Sequence, residues 1–472
     1  MKNESKPSKK EAPAPHPLHV VILAAGKGTR MKSTLPKVLH RLAGRPMLDH
    51  VLQTARALGA AACHVVIGAG AGSVRSWYAQ AHPDATDVAF VVQEPQLGTG
   101  HAVQQAMPGI PDAARVLVLY GDVPLIEAGT LSELLATAGS AMGILVAQMD
   151  DPHGYGRILR RAGKVAGIVE EKDATPAQRR IQEINTGVLC GPAKSMREWL
   201  SKIRNDNSQG EFYLTDLVRL AVRDRVRVHT TCVSAAAEVQ GVNDRLQLAT
   251  LERSYQRQQA ERQMRLGVAM ADPDRFDLRG SLLCGQDVFL DVGVVIEGEV
   301  ELGDHVYVGP YTVLKDAKVG ADTRIESHCV LDNAIVGRSC RIGPYARLRP
   351  EAQLADEVHV GNFVEIKKSK LGHASKANHL AYIGDATVGA RVNIGAGVIT
   401  CNYDGAHKHH TVIGDDAFIG TDSQLIAPVT IGAGAYIAAG SSISKDAPPQ
   451  QLTICRARDQ RSLPWKRPVK KK

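Results

Sequence analysis

The stretch IGDDAFIGTDSQLIAPVTIGAGAYIAAGSSI, residues 413–443, carries an aliphatic residue at every sixth position. The residues in this register are Ile413, Ile419, Leu425, Ile431, Ile437 and Ile443. A period of six fits neither an α-helix nor an alternating β-strand. It is typical of a parallel β-helix, in which each hexapeptide forms one side of a coil and buries its aliphatic residue against neighbouring coils.

The same period continues upstream. Its residues are Leu302, Val308 and Leu314, then Val319, Ile325 and Leu331, then Val336, Ile342, Leu348, Leu354, Val360 and Ile366. Breaks at roughly 367–386 and 401–411 predict two insertions, which in solenoids often carry function. Glycine follows an aliphatic residue at several positions, and we expect it at tight corners whose backbone angles other residues avoid. These glycines are Gly384, Gly395, Gly414, Gly420 and Gly432.

Composition limits the classes of protein to consider. The 472 residues are enough for at least two domains. The net charge of +8 is concentrated in residues 456–472, so the remainder is almost neutral and offers no basic groove for nucleic acid. The eight cysteines show no zinc spacing, which favours free thiols in a reducing cytosol. The N-terminus has no apolar core, so we expect a cytoplasmic protein without membrane insertion.

The pattern of elements predicts five segments. Residues 1–18 are expected to be a disordered extension, because they are rich in charges and proline. Residues 19–244 alternate short apolar strands with helical stretches, which predicts an α/β domain with a mostly parallel sheet. Residues 245–268 are rich in helix formers and predict a linker helix. The β-helix is expected over 269–446, followed by a basic tail over 447–472.

A glycine-rich motif, LAAGKGTRM at 23–31, follows the first predicted strand and leads to Lys37. Backbone N–H groups in such a turn can bind phosphate oxygens. Arg30 and Lys37 add the positive charge that a leaving pyrophosphate needs when the α-phosphorus is attacked. The motif lacks both the Walker A spacing and the third glycine of the dinucleotide fingerprint. The alternative is a purely structural glycine turn with surface bases.

Three further segments fit the same predicted site. Gln93, Gly98 and Thr99 follow an apolar strand and are candidates for contacts to a nucleobase edge. Asp122 ends a buried strand, where the carboxyl end faces the ligand crevice of an open α/β sheet. Its carboxylate suits Mg²⁺, although a turn or helix-cap role is the alternative. Asn243 is a candidate second metal ligand, but its spacing alone suggests a helix cap.

These motifs and their order resemble the bacterial family of bifunctional N-acetylglucosamine-1-phosphate uridyltransferases and glucosamine-1-phosphate acetyltransferases, over essentially residues 19–472. The resemblance implies a Rossmann-like nucleotidyltransferase domain followed by a left-handed parallel β-helix of hexapeptide repeats. It implies nucleotide contacts at Leu23, Ala24, Ala25, Gly26, Lys37, Gln93, Gly98 and Thr99. It also implies sugar contacts at Tyr120, Gly121, Gly156, Glu170 and Asn185, with Mg²⁺ at Asp122 and Asn243. Asp244 stands where we expect Asn in relatives, and this acidic neighbour is expected to alter metal affinity.

The resemblance implies a second site in the β-helix. Arg349 and Lys367 match a phosphate clamp. His379, in the context NHLAYIGD, matches a general base that takes the proton from the glucosamine amine as it attacks a thioester. Tyr382 and Asn393 match sugar contacts. Contacts to the acetyl group or coenzyme A are implied at Ala396, Asn402, Tyr403, Thr421, Ala439 and Arg456, with Thr421 where we expect Ser.

Taken together, the resemblance implies acetyl transfer from acetyl-coenzyme A to glucosamine-1-phosphate, followed by uridylyl transfer from UTP to N-acetylglucosamine-1-phosphate. It also implies a homotrimer with acetyl sites between subunits. Two alternatives stay open at this point. One is a single-activity sugar-1-phosphate nucleotidyltransferase with a structural or regulatory β-helix. The presence of the whole set Arg349, Lys367, His379, Tyr382 and Asn393 argues against this alternative. The other is a non-enzymatic pair of interaction modules.

Overall fold

The structure is a computed structural model and describes residues 16–456. The chain divides into two compact units, residues 1–254 and 255–472, and the boundary falls inside a helix that spans Arg245–Arg265. Most of the expected N-terminal extension and basic tail lies outside the described residues. Each predicted segment nevertheless contains residues of a strand: Leu18 begins the first strand, and Leu452–Thr453 forms the last one. In residues 16–456, none of the helices is both long and apolar enough to cross a membrane.

The first unit is built on a nine-stranded sheet, with a separate two-stranded hairpin. The strands are β1 (Leu18–Ala24), β2 (Arg41–Leu42), β3 (Arg45–Pro46), β4 (Ala62–Ile67), β5 (Val88–Val92), β6 (Arg115–Tyr120), β7 (Met142–Gln148), β8 (Gly156–Arg161), β9 (Lys164–Val169), β10 (Glu183–Pro192) and β11 (Val228–Cys232). The helices are α1 (Met47–Ala57), α2 (Ala71–Ala81), α3 (Thr99–Ala106), α4 (Ala128–Ala138), α5 (Pro176–Arg179), α6 (Ala193–Leu200) and α7 (Asp216–Arg223). The helix that contains the boundary between the units is α8 (Arg245–Arg265).

The main sheet runs in the order β11-β7-β10-β6-β1-β4-β5. Strand β1 is parallel to both β4 and β6, whereas β10 is antiparallel to β6 and β7. Val20 and Ile22 enter one hydrophobic core and Val21 enters another, so β1 is buried on both faces. This explains why its sequence is apolar without alternation. The carboxyl ends of the parallel strands meet at one edge, where ligands bind in sheets of this kind.

The second unit is a parallel β-helix whose coils each contribute three short strands. One strand of each coil joins an eleven-stranded sheet. Those strands are Ala269–Met270, Phe289–Leu290, Tyr307–Val308, Arg324–Ile325, Arg341–Ile342, His359–Asn362, Lys376–His379, Asn393–Ile394, Phe418–Ile419, Tyr436–Ile437 and Leu452–Thr453. The other strands form a seventeen-stranded sheet.

The seventeen-stranded sheet follows the remaining two sides of the coil. Its strands are Asp277–Cys284, Val295–Leu302, Val313–Lys315, Lys318–Val319, Val330–Asp332, Ile335–Val336, Arg347–Leu348, Gln353–Leu354, Glu365–Lys367, Lys370–Leu371, Tyr382–Gly384, Ala386–Val388, Ile399–Cys401, Thr411–Ile413, Gln424–Ile426, Val429–Ile431 and Ser442–Ile443. Val295 pairs with Val313, one coil of three hexapeptides later. Every aliphatic residue of the predicted register is buried, so the β-helix inferred from the six-residue period is confirmed.

Only one of the two predicted insertions exists. The stretch 367–386 is regular coil, because Glu365 pairs with Tyr382 and Lys370 with Thr387 at the ordinary spacing. The prediction there was wrong because one core position of this coil is the small residue Ala377, although Leu371, Ile383 and Val388 continue the buried aliphatic register. The stretch 401–411 is an insertion, since Ile399 pairs with Gln424 across a longer interval.

The reason we gave for the corner glycines was also wrong. None of Gly384, Gly395, Gly414, Gly420 and Gly432 has a positive φ. A Cβ on Gly420 would instead lie 2.5 Å from the backbone nitrogen of Ala439 in the next coil. Glycine is needed there because the coils approach each other closely. The left-handed corner positions are occupied by other residues, among them His328, Tyr345 and Phe363.

Candidate active sites

A cavity of about 890 Å³ opens at the carboxyl ends of β1, β5 and β6. Ten residues predicted from the sequence line it: Leu23, Ala24, Ala25, Gly26, Lys37, Gln93, Gly98, Thr99, Tyr120 and Asp122. The structure therefore brings the glycine-rich turn, the Gln93 segment and the end of β6 to one place. The position is the sheet edge that the parallel topology predicts for a ligand.

The turn after β1 presents its backbone to this cavity. Gly28 has a φ of 60°, and a Cβ on it would lie 2.8 Å from the Cβ of Lys37. Both observations call for glycine, which lets Lys37 pack directly beneath the turn. Arg30 is exposed on a 3-10 turn, Thr29–Met31, and does not line the cavity. Its predicted contact to the leaving phosphates stays a prediction.

The wall opposite the turn is formed by Gln93 and the start of α3. Gln93 is buried, and its amide nitrogen donates to the carbonyl oxygen of Gly98 at 2.9 Å. Thr99 begins α3, and its hydroxyl oxygen accepts a bond of 3.1 Å from the backbone N–H of Leu214. These bonds fix the orientation of an amide side chain and a helix N-terminus at the cavity wall.

Lys37 joins the two residues expected to bind a metal. Its ammonium donates to the carboxylate of Asp122, and it lies 3.3 Å from Oδ1 of Asn243. Two side-chain oxygens thus converge on one positive charge. Asn243 is not the cap of α8, because that role belongs to Asp244, whose Oδ1 accepts from the backbone N–H of Gln247 at 2.8 Å. The helix-cap alternative for Asn243 was therefore off by one residue.

The residues expected to contact the sugar lie beyond Tyr120. Gly156 on β8 pairs with Asn185 on β10, and a Cβ on Gly156 would lie 3.3 Å from Oε2 of Glu170. Oε1 of Glu170 accepts a 2.9 Å hydrogen bond from the hydroxyl of Thr215. Burial raises the pKa of Glu170. Burial also raises the pKa of Tyr120, with further contributions from the charges of Glu170 and Asp122.

Gly121 has a structural role as well as a place beside the cavity. Its backbone N–H donates to the carbonyl oxygen of Leu23 at 2.9 Å. This bond continues the pairing of β6 with β1 past the end of the strand. It holds the peptide that precedes Asp122 against the glycine-rich turn.

In the second unit, four predicted residues line one corner of the β-helix. The N–H of Asp422 donates to the carbonyl of Ala396 at 2.7 Å, and the N–H of Gly440 donates to that of Thr421 at 2.8 Å. The strand that ends at His379 pairs with Asn393–Ile394 in the coil that contains Ala396. In successive coils, the residues along this corner are His379, Ala396, Thr421 and Ala439.

His379 is exposed at this corner, and a hydrogen bond to Asn362 in the preceding coil orients its ring. Its Nδ1 lies 2.7 Å from Oδ1 of Asn362, which precedes it by one coil in the paired strands. An amide oxygen accepts hydrogen bonds, so Nδ1 carries the proton and Nε2 is left as a proton acceptor. We had not predicted Asn362 as part of the site. Its position one coil before His379 is the signal that would have identified it.

Three other predicted residues lie on the neighbouring side of the coil. Arg349 donates to Glu365 at 2.8 Å, and Lys367 ends the same strand as Glu365. Tyr382 pairs with Glu365 in the next coil. Its hydroxyl is 3.5 Å from the amide nitrogen of Asn402. The two basic groups and Tyr382 therefore share one face, next to the corner that carries His379.

The remaining predicted residues are farther along the β-helix. Asn393 lies on the eleven-stranded sheet. Tyr403 is exposed on the insertion, where it forms a bridge with Lys408. Nη1 of Arg456 donates to the carbonyl of Ala439 at 2.9 Å, which brings this basic side chain to the end of the corner. Asn393 pairs with Lys376 in the strand that ends at His379, but among residues 16–456 neither Asn393 nor Tyr403 forms a hydrogen bond with His379.

Three family models match the chain. Residues 20–211 match the MobA-like NTP transferase domain, residues 278–376 match the GMPPB C-terminal domain, and residues 410–445 match the bacterial transferase hexapeptide of six repeats. The first match contains the cavity, and the third contains the hexapeptide register from Ile413 to Ile443. These two matches support a nucleotidyltransferase joined to a hexapeptide-repeat transferase.

Relatives of similar length show the family. The chain is 57% identical over 452 residues to the Bifunctional protein GlmU of Alkalilimnicola ehrlichii, covering 96% of each chain. It is 54% identical over 457 residues to that of Azoarcus sp. strain BH72, and 56% identical over 458 residues to that of Bordetella petrii. Each of these two matches covers 96% of this chain and 100% of the relative. The chain therefore belongs to the GlmU family of bifunctional enzymes, each a nucleotidyltransferase and an acetyltransferase in one polypeptide.

Proposed function

We propose that the chain catalyses two consecutive steps in the synthesis of UDP-N-acetylglucosamine. The β-helix transfers an acetyl group from acetyl-coenzyme A to glucosamine-1-phosphate. The first unit then joins the resulting N-acetylglucosamine-1-phosphate to UMP from UTP and releases pyrophosphate. The observation that carries the proposal is that one chain holds both a cleft of nucleotide size at the sheet edge and an oriented histidine on the β-helix.

In the uridylyl transfer, a phosphate oxygen of the sugar forms a bond to the α-phosphorus of UTP as the bond to pyrophosphate breaks. The nucleophile is already an anion, so no general base is needed. Positioning and neutralisation of charge supply the catalysis. The backbone N–H groups of the turn after β1 and the ammonium of Lys37 face the cavity where those phosphates would bind.

The residues around Lys37 fit Mg²⁺. Asp122 and Asn243 offer two hard oxygens that already converge on one cation, the Lys37 ammonium. Mg²⁺ is commonly held by one or two such protein oxygens plus substrate phosphates. In residues 16–456 no group of three or more His, Cys, Asp or Glu side chains is arranged to hold a metal, so the phosphates would complete the shell. When bound, the ion would neutralise charge on the phosphates.

In the acetyl transfer, the amine of glucosamine-1-phosphate forms the new C–N bond at the thioester carbon. Nε2 of His379 takes the proton that the amine loses, and the C–S bond then breaks to release coenzyme A, which leaves as a thiolate and is protonated. Arg349 and Lys367 bind the sugar phosphate. Ala396, Thr421 and Ala439 form the edge along which coenzyme A lies, with Arg456 near its phosphates.

We further propose a homotrimer. What supports it is that His379 and Tyr403 belong to the same family pattern, yet no hydrogen bond joins them in residues 16–456. A neighbouring subunit would supply the missing side of the site. Sedimentation of the purified protein, with acetyl transfer measured on the same fractions, should place the activity only in the trimer. Full acetyltransferase activity in a monomer would refute this part of the proposal.

The two-site proposal is tested with one variant in each site. His379→Ala should lower acetyl transfer by about 10²- to 10⁴-fold and leave uridylyl transfer from supplied N-acetylglucosamine-1-phosphate intact. Asp122→Asn should do the reverse. Loss of both activities in either folded variant would contradict the assignment of each reaction to its own unit.

A further inference from the structure

Arg157 is buried directly beside the residues assigned to the sugar. Its side chain is 2% exposed, and it follows Gly156 on β8. It pairs with Ile184 on β10 and with Val169 on β9. Ile184 immediately precedes Asn185, and Val169 immediately precedes Glu170. Arg157 therefore lies within one residue of Gly156, Glu170 and Asn185 along or across the strands, although no sugar contact is assigned to Arg157 itself.

The guanidinium of Arg157 is directed into the segment that follows β9, residues 170–179. Nη2 of Arg157 donates a 3.1 Å hydrogen bond to the carbonyl oxygen of Arg179, the last residue of α5. The same nitrogen lies 2.7 Å from Oε2 of Glu171. This second contact is electrostatic, because no N–H group is aligned with that oxygen as a hydrogen bond. Nη1 donates to the carbonyl of Tyr155.

The guanidinium thus connects both ends of this segment to β8. Glu171 is the first residue after Glu170, so the ion pair acts one residue from the carboxylate that faces Gly156. The backbone oxygen of Glu171 also accepts a bond of 3.3 Å from Nε of Arg179. A buried guanidinium is costly to desolvate and is retained where its partners are fixed. Stability alone does not require a charge here.

We propose that Arg157, through its ion pair with Glu171, is a positioning residue for the sugar side of the nucleotidyltransferase site. This inference rests on the proposed uridylyl transfer. Arg157 does not touch the reacting atoms. It holds Glu170 at the distance from Gly156 and Asn185 that the sugar of N-acetylglucosamine-1-phosphate requires. In residues 16–456 its side-chain hydrogen bonds and ion pair go to Tyr155, Arg179 and Glu171, and none goes to the turn after β1.

The test compares Glu171→Gln and Arg157→Lys with the wild type. Glu171→Gln removes the attraction at a partly exposed position and should fold. We expect it to raise the KM for N-acetylglucosamine-1-phosphate by about 3- to 10-fold. The KM for UTP and the rate of acetyl transfer should not change. Arg157→Lys, which keeps the charge but loses the fork, should shift the same constant further in the same direction.

Glu183→Gln is the matched control. Glu183 pairs with Arg160 on the same strand as Arg157, with Nε of Arg160 2.8 Å from Oε2, but this pair does not contact residues 170–179. The control should leave every constant at its wild-type value. An equal rise in both KM values, or an unchanged sugar KM in Glu171→Gln, would overturn the positioning role. Absence of pyrophosphate release in the wild type would instead refute the proposed function itself.

Discussion

Nδ1 of His379 lies 2.7 Å from Oδ1 of Asn362, and the two residues are paired in adjacent coils. The bond selects the tautomer in which Nε2 is free to accept a proton. It also fixes the ring at an exposed corner, where it is the one side-chain hydrogen bond that His379 makes within residues 16–456. The spacing of the coils thus orients the imidazole that we propose as the base.

Asn362→Ala should therefore lower the rate of acetyl transfer by roughly 10- to 100-fold, because the ring loses its orientation and its preferred tautomer. Thiol release from acetyl-coenzyme A measures the effect. Uridylyl transfer in the same preparation is the internal control and should stay at the wild-type rate. A wild-type acetylation rate in this variant would show that the bond has no catalytic role.

The Mg²⁺ dependence of uridylyl transfer should identify the metal ligands. Asp122→Asn and Asn243→Ala should each raise the Mg²⁺ concentration for half-maximal pyrophosphate release, Asp122→Asn by more than tenfold because it removes a charge. Asp244→Asn should leave the Mg²⁺ dependence unchanged, since Asp244 caps α8 and asparagine caps equally well. A large shift in the Asp244 variant would support the expectation that this residue alters the metal affinity.

Close approach of the coils makes Gly420 sensitive to substitution. The new Cβ in Gly420→Ala would lie 2.5 Å from the backbone nitrogen of Ala439, so the coils that carry Thr421 and Ala439 must separate. We expect a loss of about 1–3 kcal/mol in the free energy of unfolding and a higher KM for acetyl-coenzyme A. Gly72→Ala in α2 is the control, because a Cβ there meets nothing within 4 Å. Equal behaviour of the two variants in thermal unfolding would contradict the packing argument.

Two buried histidines predict acid sensitivity of the first unit. Nδ1 of His19 lies 3.0 Å from Nε2 of His64, and burial lowers the pKa of both below the ordinary 6.5. As the pH falls through 6.5, the unfolded chain binds protons that the folded unit does not, so the free energy of unfolding falls. Between pH 7.5 and 5.5, the wild type should lose roughly 2–4 °C more in Tm than His64→Gln. His153→Gln, at an exposed site, should follow the wild type.

Periodic and contiguous patterns in the sequence were sufficient to predict the β-helix, its buried residues and most of the nucleotide cavity. The reason is physical: the aliphatic residues repeat with the coil, and the cavity residues follow directly after parallel strands. The regular coil at 367–386 was not predicted because one of its core positions is Ala377, which does not match a pattern of larger aliphatic residues. Likewise, Asn362 and Arg157 act through residues distant in sequence, so their roles depend on pairings that only the fold specifies.

The reason for the corner glycines shows the same limit. A pattern of Ile-Gly pairs indicates that a side chain is excluded, but not what excludes it. The structure assigns the exclusion to the backbone of the next coil at Gly395, Gly414, Gly420 and Gly432, and to the Tyr382 side chain at Gly384, rather than to φ.

The central claim is that one chain performs both reactions in order. Its most direct test is to incubate the purified full-length protein with glucosamine-1-phosphate, acetyl-coenzyme A, UTP and Mg²⁺, following free thiol and pyrophosphate in parallel. We predict that thiol appears first and that pyrophosphate appears only when acetyl-coenzyme A is present. Pyrophosphate released only from supplied N-acetylglucosamine-1-phosphate, with no thiol signal, would contradict the account and leave the β-helix without an enzymatic role.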